Sequence, residues 1–155
     1  MSRMKRIADL AESEGVVLVH ENESHIYGDT GERCLDILRT VGSPNLRAAF
    51  DPANFVQCKV SPMSEAYPLV DDYIAYIHIK DAIRGSGAVV PAGDGDGQLS
   101  ELLQALKRTA FTGFLSLEPH LSPRGKREGM SRPQLFLLAA RALKRLLSEQ
   151  GMRWT

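Results

Sequence analysis

Four ionisable residues stand at or just past the ends of short apolar runs: Glu21, Asp51, His78 and Glu118. Three carboxylates and an imidazole make an O/O/N/O donor set, which suits Mn²⁺, Mg²⁺, Co²⁺ or Zn²⁺ and leaves coordination positions open for substrate oxygens. Gathered in one place they would form a Lewis-acid site. Taken singly, each has a plainer explanation. Glu21 or Asp51 would serve to cap a following helix, His78 to fill a hydrogen-bonded core position, and Glu118 to pair with an arginine. Their equivalent placement along the chain favours the joint reading.

That placement comes from a repeated alternation of periods. Met4, Ile7, Ala8 and Ala11 recur at helical spacing up to Gly15, and the β-branched run Val16 to His20 then reads as a parallel strand covered on both faces. A helix over Thr30 to Val41 follows, with Asp29 as its expected N-cap and Glu32 in capping-box position. Next come a strand over Leu46 to Phe50, a helical segment over Ser64 to Val70 broken at Pro68, and a strand over Tyr73 to Ile79. A glycine-rich loop over 85–97 leads to a helix over Leu99 to Thr109 and a strand over Phe114 to Leu117. A long amphipathic helix over Ser131 to Gln150 closes the order, with Pro133 in its first turn where the missing N–H does no harm. Four strands separated by helices predict a parallel α/β sheet with right-handed crossovers. The pattern by itself fits half a barrel or a small doubly wound sheet. The four ionisable groups at the C-terminal strand ends, where parallel α/β proteins build their sites, favour the barrel.

Composition narrows the range of partners. Nineteen Lys and Arg balance nineteen Asp and Glu, so there is no long-range positive field of the kind that nucleic acid or an anionic membrane draws on. No apolar run approaches the roughly 20 residues of a membrane span, and no apolar signal-peptide stretch follows the basic start. Cys34 and Cys58 lack the spacing of a disulfide scaffold or a zinc site and read as free thiols. The expectation is a cytoplasmic protein acting on a small molecule, with no nucleic-acid or membrane partner.

The segments His20-Glu21-Asn22-Glu23, Phe50-Asp51-Pro52-Ala53-Asn54, Tyr76-Ile77-His78-Ile79-Lys80-Asp81 and Ser116-Leu117-Glu118-Pro119 resemble successive strand ends of the xylose-isomerase-like TIM-barrel superfamily, which includes sugar and sugar-phosphate isomerases and epimerases. The resemblance spans the chain and corresponds to barrel strands five to eight. It implies that Glu21, Asp51, His78 and Glu118 are the ligands of a divalent metal ion. It also implies that Glu21 and Glu118 are the catalytic pair that removes and returns a proton beside a carbonyl, with the metal acidifying the C–H and stabilising the enediolate. Arg84 resembles an arginine that contacts substrate oxygens, and Asn54 and His25 are further candidates for contact with a sugar or sugar phosphate. Lys80 and Asp81 are placed to orient His78 or the substrate. The glycine-rich turn over 91–97 resembles one whose backbone N–H groups approach a ligand.

Two departures stand out. Asn54 occupies a position where many members have a histidine; asparagine hydrogen-bonds but cannot act as a base near neutral pH, which argues against multi-zinc endonuclease chemistry. The chain also carries four strands where a barrel has eight. The expectation is therefore one (β/α)4 half-barrel domain over residues 1–155, completed by a second copy or by a separate N-terminal half. The alternative is a non-catalytic remnant that binds metal or sugar and associates with a partner.

Overall fold

A computed structural model describes residues 2–153; Met1, Trp154 and Thr155 lie outside the described residues. Four parallel strands, β1 (Leu18–Glu21), β2 (Leu46–Phe50), β3 (Ile74–Ile79) and β6 (Phe114–Leu117), form one sheet in the order β1-β2-β3-β6. Helices α1 (Ser2–Ser13), α2 (Gly31–Val41), α5 (Leu99–Arg108) and α7 (Arg132–Glu149) supply the main flanking layer. The short helices α3 (Pro52–Gln57), α4 (Tyr67–Val70) and α6 (Ser122–Glu128) fill the connections, and β4 (Asp81–Ala82) pairs antiparallel with β5 (Val89–Val90) inside the glycine-rich segment. No helix among the described residues is long and apolar enough to cross a membrane.

The side-chain period of two sorts each strand between two environments. Leu46, Ala48 and Phe50 of β2 and Ile77 and Ile79 of β3 are buried with Ile37, Leu38 and Val41 of α2 and Leu102, Leu103 and Leu106 of α5. The other face is open. Val19 on β1 is 46% exposed and Phe114 on β6 is 72% exposed, with Tyr76 of β3 packed 5.9 Å from the Phe114 ring. The expected cover on both faces of the first strand is thus corrected: β1 is an edge strand, half-buried on the helix side and open on the other. It also begins at Leu18, two residues later than its apolar run implies, where the Leu18 N–H first finds a partner in the Asn45 carbonyl.

A register shift between β2 and β3 governs which face carries the polar groups. Ala48 aligns with Ile74, but the next residue, Ala49, aligns with Tyr76, so Ala75 is an extra residue on β3. The skip turns Tyr76 and His78 onto the open face beside Ala49 and leaves Ile77 and Ile79 in the core.

Local capping differs from expectation at one point. Thr30, not Asp29, is the N-cap of α2, its hydroxyl accepting from the Arg33 N–H, while Asp29 forms a 2.7 Å ion pair with Arg33. A hydroxyl one residue nearer the helix reaches the free N–H with less distortion. Gly31, the first residue of α2, lies against the π-helical turn Pro62–Ala66. A Cβ at Gly31 would sit 2.7 Å from Ala66 Cα and 3.1 Å from Ala66 Cβ, a backbone atom and the methyl fixed directly to it. Overpacking costs about 1–3 kcal/mol, more than the helix propensity Ala gains at a terminus. Gly31→Ala is therefore expected to lower the melting temperature by about 3–8 °C. A melting curve unchanged or shifted upward would show that α2 and the turn slide apart freely.

Candidate metal centre

β1, β2, β3 and β6 end at one edge of the sheet, and their last or next residues converge there. Glu21, Asp51, His78 and Glu118 each offer one donor atom, and these atoms all lie within 4.8 Å of one another. His78 Nδ1 is 2.9 Å from Glu21 Oε1, 3.8 Å from Asp51 Oδ2 and 3.7 Å from Glu118 Oε2. The expected ligand set is thus assembled, although it comes from residues up to 97 positions apart in sequence (21 to 118).

Asp51 does two jobs at once. Its Oδ1 accepts from the Asn54 N–H at 2.9 Å and caps α3, so the structural reading of this residue holds for one oxygen. Its Oδ2 turns the other way, into the cluster. That oxygen is fully buried and accepts no well-directed hydrogen bond, and the Lys80 ammonium 2.9 Å away forms an ion pair off the hydrogen-bond direction. A buried carboxylate oxygen without a well-directed hydrogen bond, facing an imidazole nitrogen and two more carboxylates, is the environment that a divalent cation satisfies. The residues fit such an ion.

Asparagines hold the carboxylates in place. Asn22, 3% exposed, donates from Nδ2 to the Asp51 carbonyl and accepts from the Asp51 N–H, both at 2.9 Å, locking the end of β1 to the end of β2. Asn54 donates from Nδ2 to Glu21 Oε1 at 3.1 Å and to the Asn22 carbonyl at 2.9 Å. The structure therefore puts Asn54 beneath the cluster as a brace for Glu21. Asn22 escaped the reading of the sequence; its one signal there is an amide directly after a ligand at a strand end.

The remaining candidates scatter. Arg84 is exposed, and its guanidinium donates to the carbonyls of Lys59 and Val60 and to Ser61 Oγ, tying down the segment after α3. His25 has a left-handed backbone (φ 64°) and lines an open groove with Asp29, Gln57 and Cys58, apart from the four-residue cluster. His120 lies nearer, its Nε2 3.6 Å from Glu118 Oε1. Asp81 is buried and accepts from the N–H groups of Ala82, Gly93, Gly95 and Gly97 at 2.8 to 3.0 Å. The expectation that these loop N–H groups meet a ligand is replaced by an internal anion. Glycine is required for that approach, since a Cβ at Gly95 would fall 2.4 Å from Asp81 Oδ1.

Protonation follows from burial and crowding. Burial pushes the Asp51 carboxyl up to about 7, against the opposing pull of Lys80 and the Asn54 N–H. The hydrogen bond to Glu21, joined by the nearby carboxylate charges and outweighing burial, raises His78 above its ordinary 6.5. Burial acts to raise Glu118 too, but the hydrogen bond and charge of Lys80 prevail and hold it below the usual carboxylate range. Asp51 and His78 are therefore both more protonated in the folded, metal-free protein than free side chains are at the same pH, and an incoming cation must displace those protons. Raised folded values mean that metal-free stability contributed by these two groups falls as the pH rises through them, while cation affinity rises over the same interval. The increase in melting temperature on adding Mn²⁺ should accordingly be much smaller at about pH 5.5 than at about pH 7.5. Equal shifts at both values would show that neither proton is in competition with the ion.

Comparison with known proteins finds a family match and related folds. The family model described as xylose isomerase-like TIM barrel matches residues 1–152. A probable L-ribulose-5-phosphate 3-epimerase of Mycoplasma pneumoniae is 27% identical over 118 residues, covering 76% of this chain and 38% of that protein. Among solved structures, a xylose isomerase domain protein from Planctomyces limnophilus aligns with a TM-score of 0.72 at 25% identity, covering 94% of this chain and 52% of the other. A xylose isomerase-like TIM barrel protein from Mycobacterium smegmatis, solved in complex with magnesium, aligns with a TM-score of 0.69 at 21% identity, covering 94% of this chain and 47% of the other. The chain spans about two fifths of the curated relative's length and about half of these solved structures.

Proposed function

The chain belongs to the xylose isomerase-like TIM barrel family, and from that premise we propose that it is the C-terminal (β/α)4 half of a divalent-metal-dependent sugar or sugar-phosphate isomerase or epimerase. The observation that carries this reading is the convergence of Glu21, Asp51, His78 and Glu118 on the buried, hydrogen-bond-starved Asp51 Oδ2. When bound, a divalent ion polarises adjacent hydroxyl and carbonyl oxygens of a sugar and so acidifies the C–H between them.

The protein's own residues do the rest. Glu21 ends β1 and Glu118 follows β6, the two outer strands, so their carboxylates flank the cluster from opposite sides. One removes the proton and the other returns it to the opposite face of the carbon, which inverts that centre; return to the neighbouring carbon interconverts ketose and aldose. Asn54 holds Glu21 Oε1, and Lys80 holds Glu118 Oε2 at 2.8 Å, so each base is fixed before substrate arrives. Cys34 and Cys58, both free, fit a reducing cytoplasmic setting.

The open face gives the reading its second part. Val19 and Phe114 are exposed on the outer strands, and both β1 and β6 end the sheet. A second copy of this chain, or a separate N-terminal half, would pair with both edges and supply the remaining wall of the substrate site. The same open face supports a second reading, a half-barrel that binds metal or sugar without turning it over.

Activity and assembly separate the two. With Mn²⁺ in D₂O, an active enzyme incorporates carbon-bound deuterium into a pentulose, a hexulose or one of their phosphates, and Glu118→Gln lowers that rate by at least about 100-fold. Metal binding without incorporation, in a preparation whose solution mass is that of a dimer, would leave the non-catalytic reading. Absence of any Mn²⁺-induced stabilisation in the wild type, at either mass, would overturn the metal centre itself.

A further inference from the structure

Lys80 is 4% exposed and lies within the ligand cluster. Its Nζ is 2.9 Å from Asp51 Oδ2 and 2.8 Å from Glu118 Oε2. These are the same two oxygens that face His78 Nδ1 at 3.8 and 3.7 Å. The ammonium therefore sits against the same two oxygens that a metal ion would need. Two residues before it on the same strand end, His78 contributes nitrogen; two residues of strand place both groups on one face.

The charges decide what such a lysine does. In their ionised, ligating form Glu21, Asp51 and Glu118 bring three negative charges to one small volume, and Asp51 is fully buried. Like charges this close do not stay converged and ionised without a cation. Lys80 supplies one positive charge from a side chain that cannot diffuse away. Three carboxylates, one ammonium and one divalent ion sum to zero, whereas without the ammonium the loaded site keeps a net negative charge.

We propose that Lys80 is a positioning residue that serves as the resident cation of the centre: it keeps Asp51 Oδ2 and Glu118 Oε2 converged in the metal-free protein and competes with a divalent ion for them. It thereby sets the affinity of the site below what the four ligands alone would give. The inference rests on the metal-centre reading above. It assigns Lys80 no contact with substrate.

The test combines calorimetric titration of Mn²⁺ with melting of the metal-free protein, for the wild type, Lys80→Gln and Lys80→Arg. Glutamine keeps hydrogen-bond donors but removes the charge, so it should bind Mn²⁺ at least about tenfold more tightly, as expected on removing a unit charge a few ångströms from the ion. Its metal-free melting temperature should fall by several degrees. Arginine, which keeps the charge, should stay within about threefold of wild-type affinity and near wild-type metal-free stability. Lys80→Gln binding Mn²⁺ as the wild type does, or more weakly, would overturn the competition; an unchanged metal-free melting curve would overturn the positioning role. A wild type that binds no Mn²⁺ refutes the metal centre instead, and the metal-free melting of Lys80→Gln then still decides whether Lys80 positions the carboxylates. Should Lys80→Gln fail to fold, ¹⁵N spectra of the wild-type lysine ammonium groups settle the question during Mg²⁺ titration. A protected Lys80 signal that shifts as the site fills supports the proposal, and one that does not move rejects it.

Discussion

Bringing three carboxylates and an imidazole to one sheet edge sets the terms for everything around them. Mutual repulsion and desolvation both oppose the arrangement, and each grows as the groups are buried. The fold answers with fixed geometry. Asn22 welds the end of β1 to that of β2, Asn54 steadies Glu21, and the first turn of α3 takes the second oxygen of Asp51. What remains without a directed hydrogen bond is one oxygen, Asp51 Oδ2, which has the Lys80 ammonium beside it, and the site is organised around it.

The division of the sheet into two faces follows from that demand. The helix side is an ordinary apolar core, and it supplies the rigidity on which the polar edge depends. On the other side the same strands present Val19, Tyr76 and Phe114 beneath the polar cluster, an apolar floor left open. Under the proposed half-barrel reading this surface becomes the interior of a closed ring.

How much of this could be read from the sequence depends on the range of the interactions involved. The strand ends carrying Asp51, His78 and Glu118 follow from local apolar runs with an ionisable residue behind them, and the four-residue convergence follows once the strands are taken as parallel. The donor set suggested a divalent metal, and the resemblance supplied the proton-transfer chemistry, which local pattern could not have done. Short helices α3 and α6 were missed because each is fewer than eight residues and has no room for an apolar period. The β4–β5 hairpin hid inside a glycine-rich stretch for the same reason. Arg84 and the glycine loop were assigned to a ligand because donors near a strand end look alike from sequence. Their actual acceptors, the carbonyls after α3 and the Asp81 carboxylate, are fixed by tertiary packing. Asn54 and Lys80 were noticed, but not their partners: Asn54 braces Glu21, and Lys80 sits inside the cluster against Asp51 and Glu118.

The extra residue at Ala75 has a consequence for how this site changes over generations. Strand β3 carries His78 toward the polar edge because one unpaired residue precedes it and inverts the alternation. Loss of Ala75 itself would restore regular pairing and leave Ile77, His78 and Ile79 on their present faces, whereas loss of a residue after the bulge, such as Ile77, would carry His78 and Lys80 into the apolar layer. Point substitutions along β3 alter one position at a time, but a one-codon loss beyond the bulge reverses the parity of every residue after it. The lineage of this centre should therefore be permissive to exchange of residues on the open face and to loss of Ala75, and intolerant of insertions and deletions between Tyr76 and His78.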